Sequence, residues 1–217
     1  MQISIEWRYK SRNGKITVFH SEEMSAEEAI MFGLDIEKTG RVKDIIFVDP
    51  HDSSWTLKEL KTYVKGIETE PHNISIYFDG GFDWDTKTAG LGCVIYYDQN
   101  GKSYRVRKNA FVEGLTSNNE AEYAALHLCL QELEILGVHH LPISVLGDSR
   151  VVIHHLTEEW PVIEEDLYRW ADRIEAKMKS LGLEPQYELI SRKLNNEADR
   201  LATQALAGVE IMANSER

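Results

Sequence analysis

Cysteine is scarce in this chain of 217 residues: there are two, Cys93 and Cys129. Both sit inside apolar periodic stretches, which suits buried free thiols and excludes a disulfide framework. No Cys/His spacing resembles a zinc site. His139-His140 and His154-His155 are adjacent pairs, and neighbours on a helix or strand cannot face one metal. No apolar run approaches the ~18 residues of a membrane span, so no membrane partner is expected. The first residues, Met1-Gln2-Ile3-Ser4-Ile5-Glu6, lack the basic and then apolar blocks of a signal peptide, and the expected location is the cytoplasm. Positive charge is also short: 24 Lys and Arg face 36 Asp and Glu, for a net charge of -12. A protein that holds nucleic acid mainly by charge should be basic. This argues against a tight nonspecific binder. It leaves room for an enzyme that meets a polyanion through bound cations and a few local Lys or Arg.

What is present divides into two parts. Residues 1–66 read as a small ββαβα domain. Residues 3–9 and 15–20 are strand-like, and Arg12-Asn13-Gly14 between them is a hairpin signal. Ser25-Ala26-Glu27-Glu28 is a capping box opening a helix that Gly40 ends. Residues 42–48 form a third strand, and Leu57, Leu60 and Val64 have helical spacing. Trp7, Tyr9 and Trp55 could stack on bases, although a core is the commoner place for aromatics in a small domain. Residues 67–73, polar and with Pro71, read as a linker. Residues 74–207 follow the order β-β-β-α-β-α-α-β-α, a mixed sheet with helices on its faces. Residues 208–217 are expected to fray.

The second part carries four acids in unusual places. Asp79 ends the strand Ile74-Ser75-Ile76-Tyr77-Phe78 and precedes Gly80-Gly81, where a missing Cβ lets metal or phosphate come close. Glu122 shares a helix stripe with Leu126, Cys129, Leu130 and Leu133, so it points at the sheet. Asp148 follows Ile143-Ser144-Val145-Leu146-Gly147, at the C-terminal end of a strand, where open α/β sheets place their sites. It could instead cap the next helix, a task Ser149 can perform as well. Asp199 lies on the side of its helix that carries Ala202 and Leu206. If the four converge they are costly, since two carboxylates about 4 Å apart repel by roughly 4 kcal/mol at an effective dielectric near 20. Cations would relieve that cost, and an all-oxygen set selects Mg²⁺ or Mn²⁺. Two such ions suit in-line displacement at phosphorus, one activating the attacking water and the other stabilising the leaving oxygen. The reading asks that none of the four turn to solvent or be neutralised by a neighbouring arginine or lysine.

These blocks, in this order, resemble the type 1 ribonuclease H family. The match spans about residues 74–207. It rests on Tyr77-Phe78-Asp79-Gly80-Gly81, Ser117-Asn118-Asn119-Glu120-Ala121-Glu122-Tyr123, Gly147-Asp148-Ser149-Arg150 and Asn195-Asn196-Glu197-Ala198-Asp199-Arg200-Leu201-Ala202. Each block is weak alone; the ordered set is specific. The resemblance implies an α/β fold with a five-stranded mixed sheet in the order 3-2-1-4-5, strand two antiparallel. It implies endonucleolytic hydrolysis of the RNA strand of an RNA–DNA hybrid with two Mg²⁺ ions, Mn²⁺ being possible. The metal-binding acids fall on Asp79, Glu122, Asp148 and Asp199. Substrate contacts fall on Gly80, Gly81, Ser117, Asn118 and Asn119.

Three departures qualify this picture. The loop before the last acid has no His, and Arg192 is its candidate replacement. Residues 158–166 are acidic where the better-known bacterial members carry a basic grip. The N-terminal order matches a hybrid-binding module of some members without its Gly, Trp and Lys pattern, so protein contact or plain stabilisation is as good a reading. Two alternatives to a hybrid-cleaving enzyme stay open: a weakly active or silent relative that binds nucleic acid or a protein, and a nuclease for DNA or free RNA on the same fold.

Overall fold

The protein is described from a computed structural model. It covers the backbone of residues 1–217 and all side chains except those of residues 67 and 68. The chain forms two compact units, Met1–Thr69 and Glu70–Arg217, each with its own core.

In the first unit, β1 (Gln2–Lys10), β2 (Ile16–His20), the short β3 (Met24–Ser25), β4 (Val42–Val48) and the short β5 (Ser54–Trp55) surround α1 (Ala26–Lys38) and precede α2 (Leu57–Thr69). The sheet runs β2-β1-β4-β5, antiparallel throughout, with β3 paired to β1. Ser25 and Glu28 form the capping box. Ile3, Ile5, Ala29, Phe47 and Leu60 make the core, and Trp7 and Trp55 pack against it. The expected linker at residues 67–73 is largely taken up by its neighbours: helix α2 runs to Thr69 and the next strand begins at His72, with Pro71 at the boundary.

The second unit begins with β6 (His72–Asp83), β7 (Thr88–Gln99) and β8 (Lys102–Glu113), then α3 (Asn118–Ile135), β9 (Pro142–Gly147), α4 (Arg150–Leu156), α5 (Glu165–Leu181), β10 (Glu184–Leu189), α6 (Asn196–Leu206) and β11 (Met212–Glu216). The sheet order is β10-β9-β6-β7-β8-β11. Numbered from β6, the first five strands follow 3-2-1-4-5, with β9 and β10 parallel and β7 antiparallel to its neighbours. Alternation along β6 separates two faces. Ile74, Ile76 and Phe78 are buried in the large core with α3 and α5 residues such as Leu126, Leu130 and Ile174. Tyr77 packs with Val94, Tyr96 and α6 residues Ala198 and Leu201. Among the described residues no helix is long and apolar enough to cross a membrane.

Two expectations about this unit change. Strand β6 does not stop at Asp79 but continues through Gly80, Gly81 and Phe82, paired with Leu91, Gly90 and Ala89. Glycine here serves close approach: a Cβ on Gly80 would lie 2.2 Å from the Ala121 backbone, and one on Gly92 would lie 2.1 Å from Ala198 O. Both helices therefore press directly onto the sheet. The tail does not fray: β11 adds a sixth strand antiparallel to β8. It pairs with the β8 backbone, and the buried Asn109 holds the segment that leads into it, donating to Leu201 O and Val209 O and accepting from Ile211 N–H at 2.7 Å. An exposed strand held this way needs no apolar pattern.

Candidate active site

Four stretches of chain deliver the acids to the C-terminal ends of β6 and β9. Asp79 rides on β6 and is 9% exposed; Glu122 sits in the first turns of α3 and is 8% exposed. The Gly80 N–H donates to Glu122 Oε2 at 3.1 Å, which binds helix to strand beside Asp79. Asp148 follows β9. Ser149 caps α4, its side chain accepting from Val152 N–H, so Asp148 is released from that duty. Asp199 occupies the first turn of α6.

The acids feel one another. Burial pushes the Asp79 carboxyl up to about 7, helped by Asp148 and Asp199, while Arg192 pulls it back. Burial also raises Glu122 well above the usual carboxylate range, with Asp79 and Asp148 adding to it and the Gly80 hydrogen bond opposing. Buried carboxyls shifted upward by other carboxyls form the pattern of a place built for positive charge.

Arg192 supplies part of that charge. Its Nε and a terminal nitrogen donate to Asp199 Oδ1 at 3.1 and 2.6 Å. The condition that no acid be held by an arginine therefore fails at Asp199. The pair is a surface one, with the Arg192 side chain 80% exposed, so it is weak and displaceable. Among the described residues no three His, Cys, Asp or Glu side chains are gathered tightly enough to hold a metal ion. The donor chemistry fits a hard divalent cation, being carboxylate oxygen throughout.

Asn195 joins the site without having been singled out by its position in the sequence. It precedes α6 but makes no side-chain cap bond. Its amide, in a residue 1% exposed, donates to Phe78 O at 2.8 Å and to Asp148 Oδ1 at 2.6 Å. It thus joins the β6 backbone next to Asp79 to the acid at the end of β9. A buried amide beside an acid-bearing helix start was the available signal.

Of the other expected contacts, Ser117 caps α3 by accepting from Glu120 N–H, and Asn118 Oδ1 accepts from Phe82 N–H at 3.2 Å. Asn119 is half-buried one position on, and Gly81 lies under Leu206 of α6. Past Phe82 the turn exposes an unexpected aromatic tip. Trp84 is 60% exposed, its ring centroid 4.9 Å from that of Phe82 and 4.9 Å from Lys87 Nζ. Glu120, in the first turn of α3, is buried and accepts from Thr116 and from Trp170 Nε1.

Residues 77–205 match the family described as Reverse transcriptase-like. The uncharacterised protein YpeP of Bacillus subtilis (strain 168) is 41% identical over 194 residues, spanning 89% of this chain and 85% of its own. Among solved structures, the N-terminal RNase H domain of rv2228c from Mycobacterium tuberculosis superposes with a TM-score of 0.54 at 28% identity, covering 62% of this chain and 94% of that one. LC11-RNase H1, from a compost metagenome and solved in complex with an RNA/DNA hybrid, gives 0.54 at 28%, covering 63% and 98%.

Proposed function

Because this chain belongs to the reverse transcriptase-like family and carries the ribonuclease H fold, we propose that it is a metal-dependent endonuclease that hydrolyses the RNA strand of RNA–DNA hybrids. The observation that carries the reading is the pair of buried carboxyls, Asp79 and Glu122, each pushed upward by burial and by further acids from separate stretches of chain. A protein without cation chemistry gains nothing from keeping them there.

Asp79, Glu122, Asp148 and Asp199 would hold two divalent ions, Mg²⁺ or Mn²⁺. Such ions, when bound, supply charge neutralisation and an activated water for in-line displacement at phosphorus. The chain's own residues orient the parts. Gly80 N–H fixes the Glu122 carboxylate, and Asn195 fixes Asp148. Arg192, exposed beside Asp199, would be free to meet the phosphate or the departing product if that acid held a cation instead. Asn118 and Asn119 offer amides to the minor groove and the RNA 2′-OH. Trp84 and Lys87 stand in the turn that follows β6 and supply an aromatic and a positive contact in place of the basic grip this chain lacks.

The test is cleavage of a labelled 20-bp hybrid with Mg²⁺ or Mn²⁺, run beside duplex DNA and single-stranded RNA. We expect hybrid-specific cleavage. Asp148→Asn should reduce it by at least the roughly 100-fold that losing a supporting residue costs a metal site. Folded wild type that cleaves nothing in either metal would overturn the proposal, and cleavage of DNA or free RNA instead would reassign the substrate. One observation favours a silent relative: the Arg192–Asp199 pair neutralises a required acid. That reading predicts no metal-dependent rise in thermal stability.

A further inference from the structure

The first unit holds a cationic cleft that the proposed activity does not use. A cleft of about 420 Å³ is lined by Lys10, Arg12, Arg41 and Lys43, together with Ser11 and backbone around Gly40. The β1–β2 turn brings Lys10 and Arg12. The connection from α1 to β4 brings Arg41 and Lys43, and the Lys10 N–H to Arg41 O bond, 2.8 Å, pins the two together. Among the described residues none of the four forms an ion pair. Arg41 gives one N–H to Tyr9 OH at 2.8 Å. In a chain of net charge -12, four unneutralised cations around one cleft are a deliberate local reversal.

Arg41 ties the lining of the cleft to a row of aromatic rings. Tyr9, held by Arg41, meets Phe19 edge-on at 6.0 Å between centroids, and Phe19 stacks on Trp7 at 5.4 Å. Trp7 packs against the core and forms the back of this ladder. Phe19, 45% exposed, forms its open step. Cations that track a phosphate backbone beside a ring on which a base can stack are the two parts of a single-strand binding surface. A paired base is already stacked on its neighbours and cannot use such a ring. An acidic peptide would satisfy the cations and leave the ring idle.

We propose that the Lys10, Arg12, Arg41 and Lys43 cleft with the adjoining Phe19 ring binds a segment of single-stranded nucleic acid, phosphates in the cleft and a base on Phe19. The site is independent of the acids in the second unit and of any cleavage.

The experiment uses the full-length chain in EDTA, where cleavage cannot contribute. Fluorescence anisotropy at low salt measures binding of labelled thymidine 12-mer, of an abasic 12-mer of equal charge, and of poly-glutamate of similar length. We expect the 12-mer to bind most tightly. Lys10→Glu with Lys43→Glu should weaken it at least tenfold and flatten its logarithmic salt slope by about 1.4, from two fewer charges at ~0.7 each. Phe19→Ala should weaken the 12-mer about tenfold and leave the abasic strand unchanged. All substituted side chains are surface groups, and circular dichroism confirms folding. Absence of 12-mer binding, indifference to both variants, or equal binding of the abasic strand or poly-glutamate would overturn the proposal.

Discussion

Asp79 is a carboxyl whose burial and acidic neighbours raise it from 3.8 to about 7. The raised value in the folded state means that folding favours the protonated form. The group costs nothing below about pH 4, where it is protonated folded or unfolded. The cost grows as pH rises towards 7 and is constant above that. Its full size is on the order of 4 kcal/mol, from about three pKa units. Metal-free Asp79→Asn should therefore melt higher than wild type at pH 8 and equally at pH 4, as followed by thermal unfolding in EDTA; equal melting at both would show that the charge is already relieved. This acid stood out in the sequence because it follows an alternating strand pattern and precedes two glycines, although the strand itself runs on past it. So was the stripe beneath Glu122. The Arg192–Asp199 bond was not, since an exposed arginine seven residues away can point anywhere. Nor was the role of Asn195, because its partners, Phe78 and Asp148, are remote along the chain.

Strands, hairpin turns and helix starts with strong local chemistry emerged from pattern alone: Arg12-Asn13-Gly14 between β1 and β2, the capping box at Ser25, the stop at Gly40. β11 did not, because Met212–Glu216 is exposed throughout and earns its place by backbone pairing with β8. Lys102–Glu216, Asn214–Tyr97 and the Arg217 N–H to Ser103 O bond fasten it further. Removing residues 209–217 strips these bonds and bares the β8 edge. At about 1 kcal/mol for each net bond, the loss should lower the melting temperature of the second unit by roughly 5–10 °C. The open edge should also promote self-association. Calorimetry and light scattering check both, and an unchanged melting point would mean that the tail is only draped on the sheet.

The two units keep separate cores and separate electrostatics. Acids gather where β6 and β9 end, and cations gather beside the β1–β2 turn. Composition shows only the net charge, which hides this segregation. Calorimetry should resolve two transitions, the larger enthalpy belonging to Glu70–Arg217, since enthalpy follows size. Mg²⁺ or Mn²⁺ should raise the larger transition and leave the smaller in place; a shift of the smaller one alone would relocate the ion. The Asn195 amide has a last bearing on how such a constellation ages. It clasps the backbone behind one acid and the oxygen of a second, and it opens the helix that carries a third. A disturbance at that joint reaches all three together, so the cluster keeps its shape or loses it as a set and does not shed its members one by one.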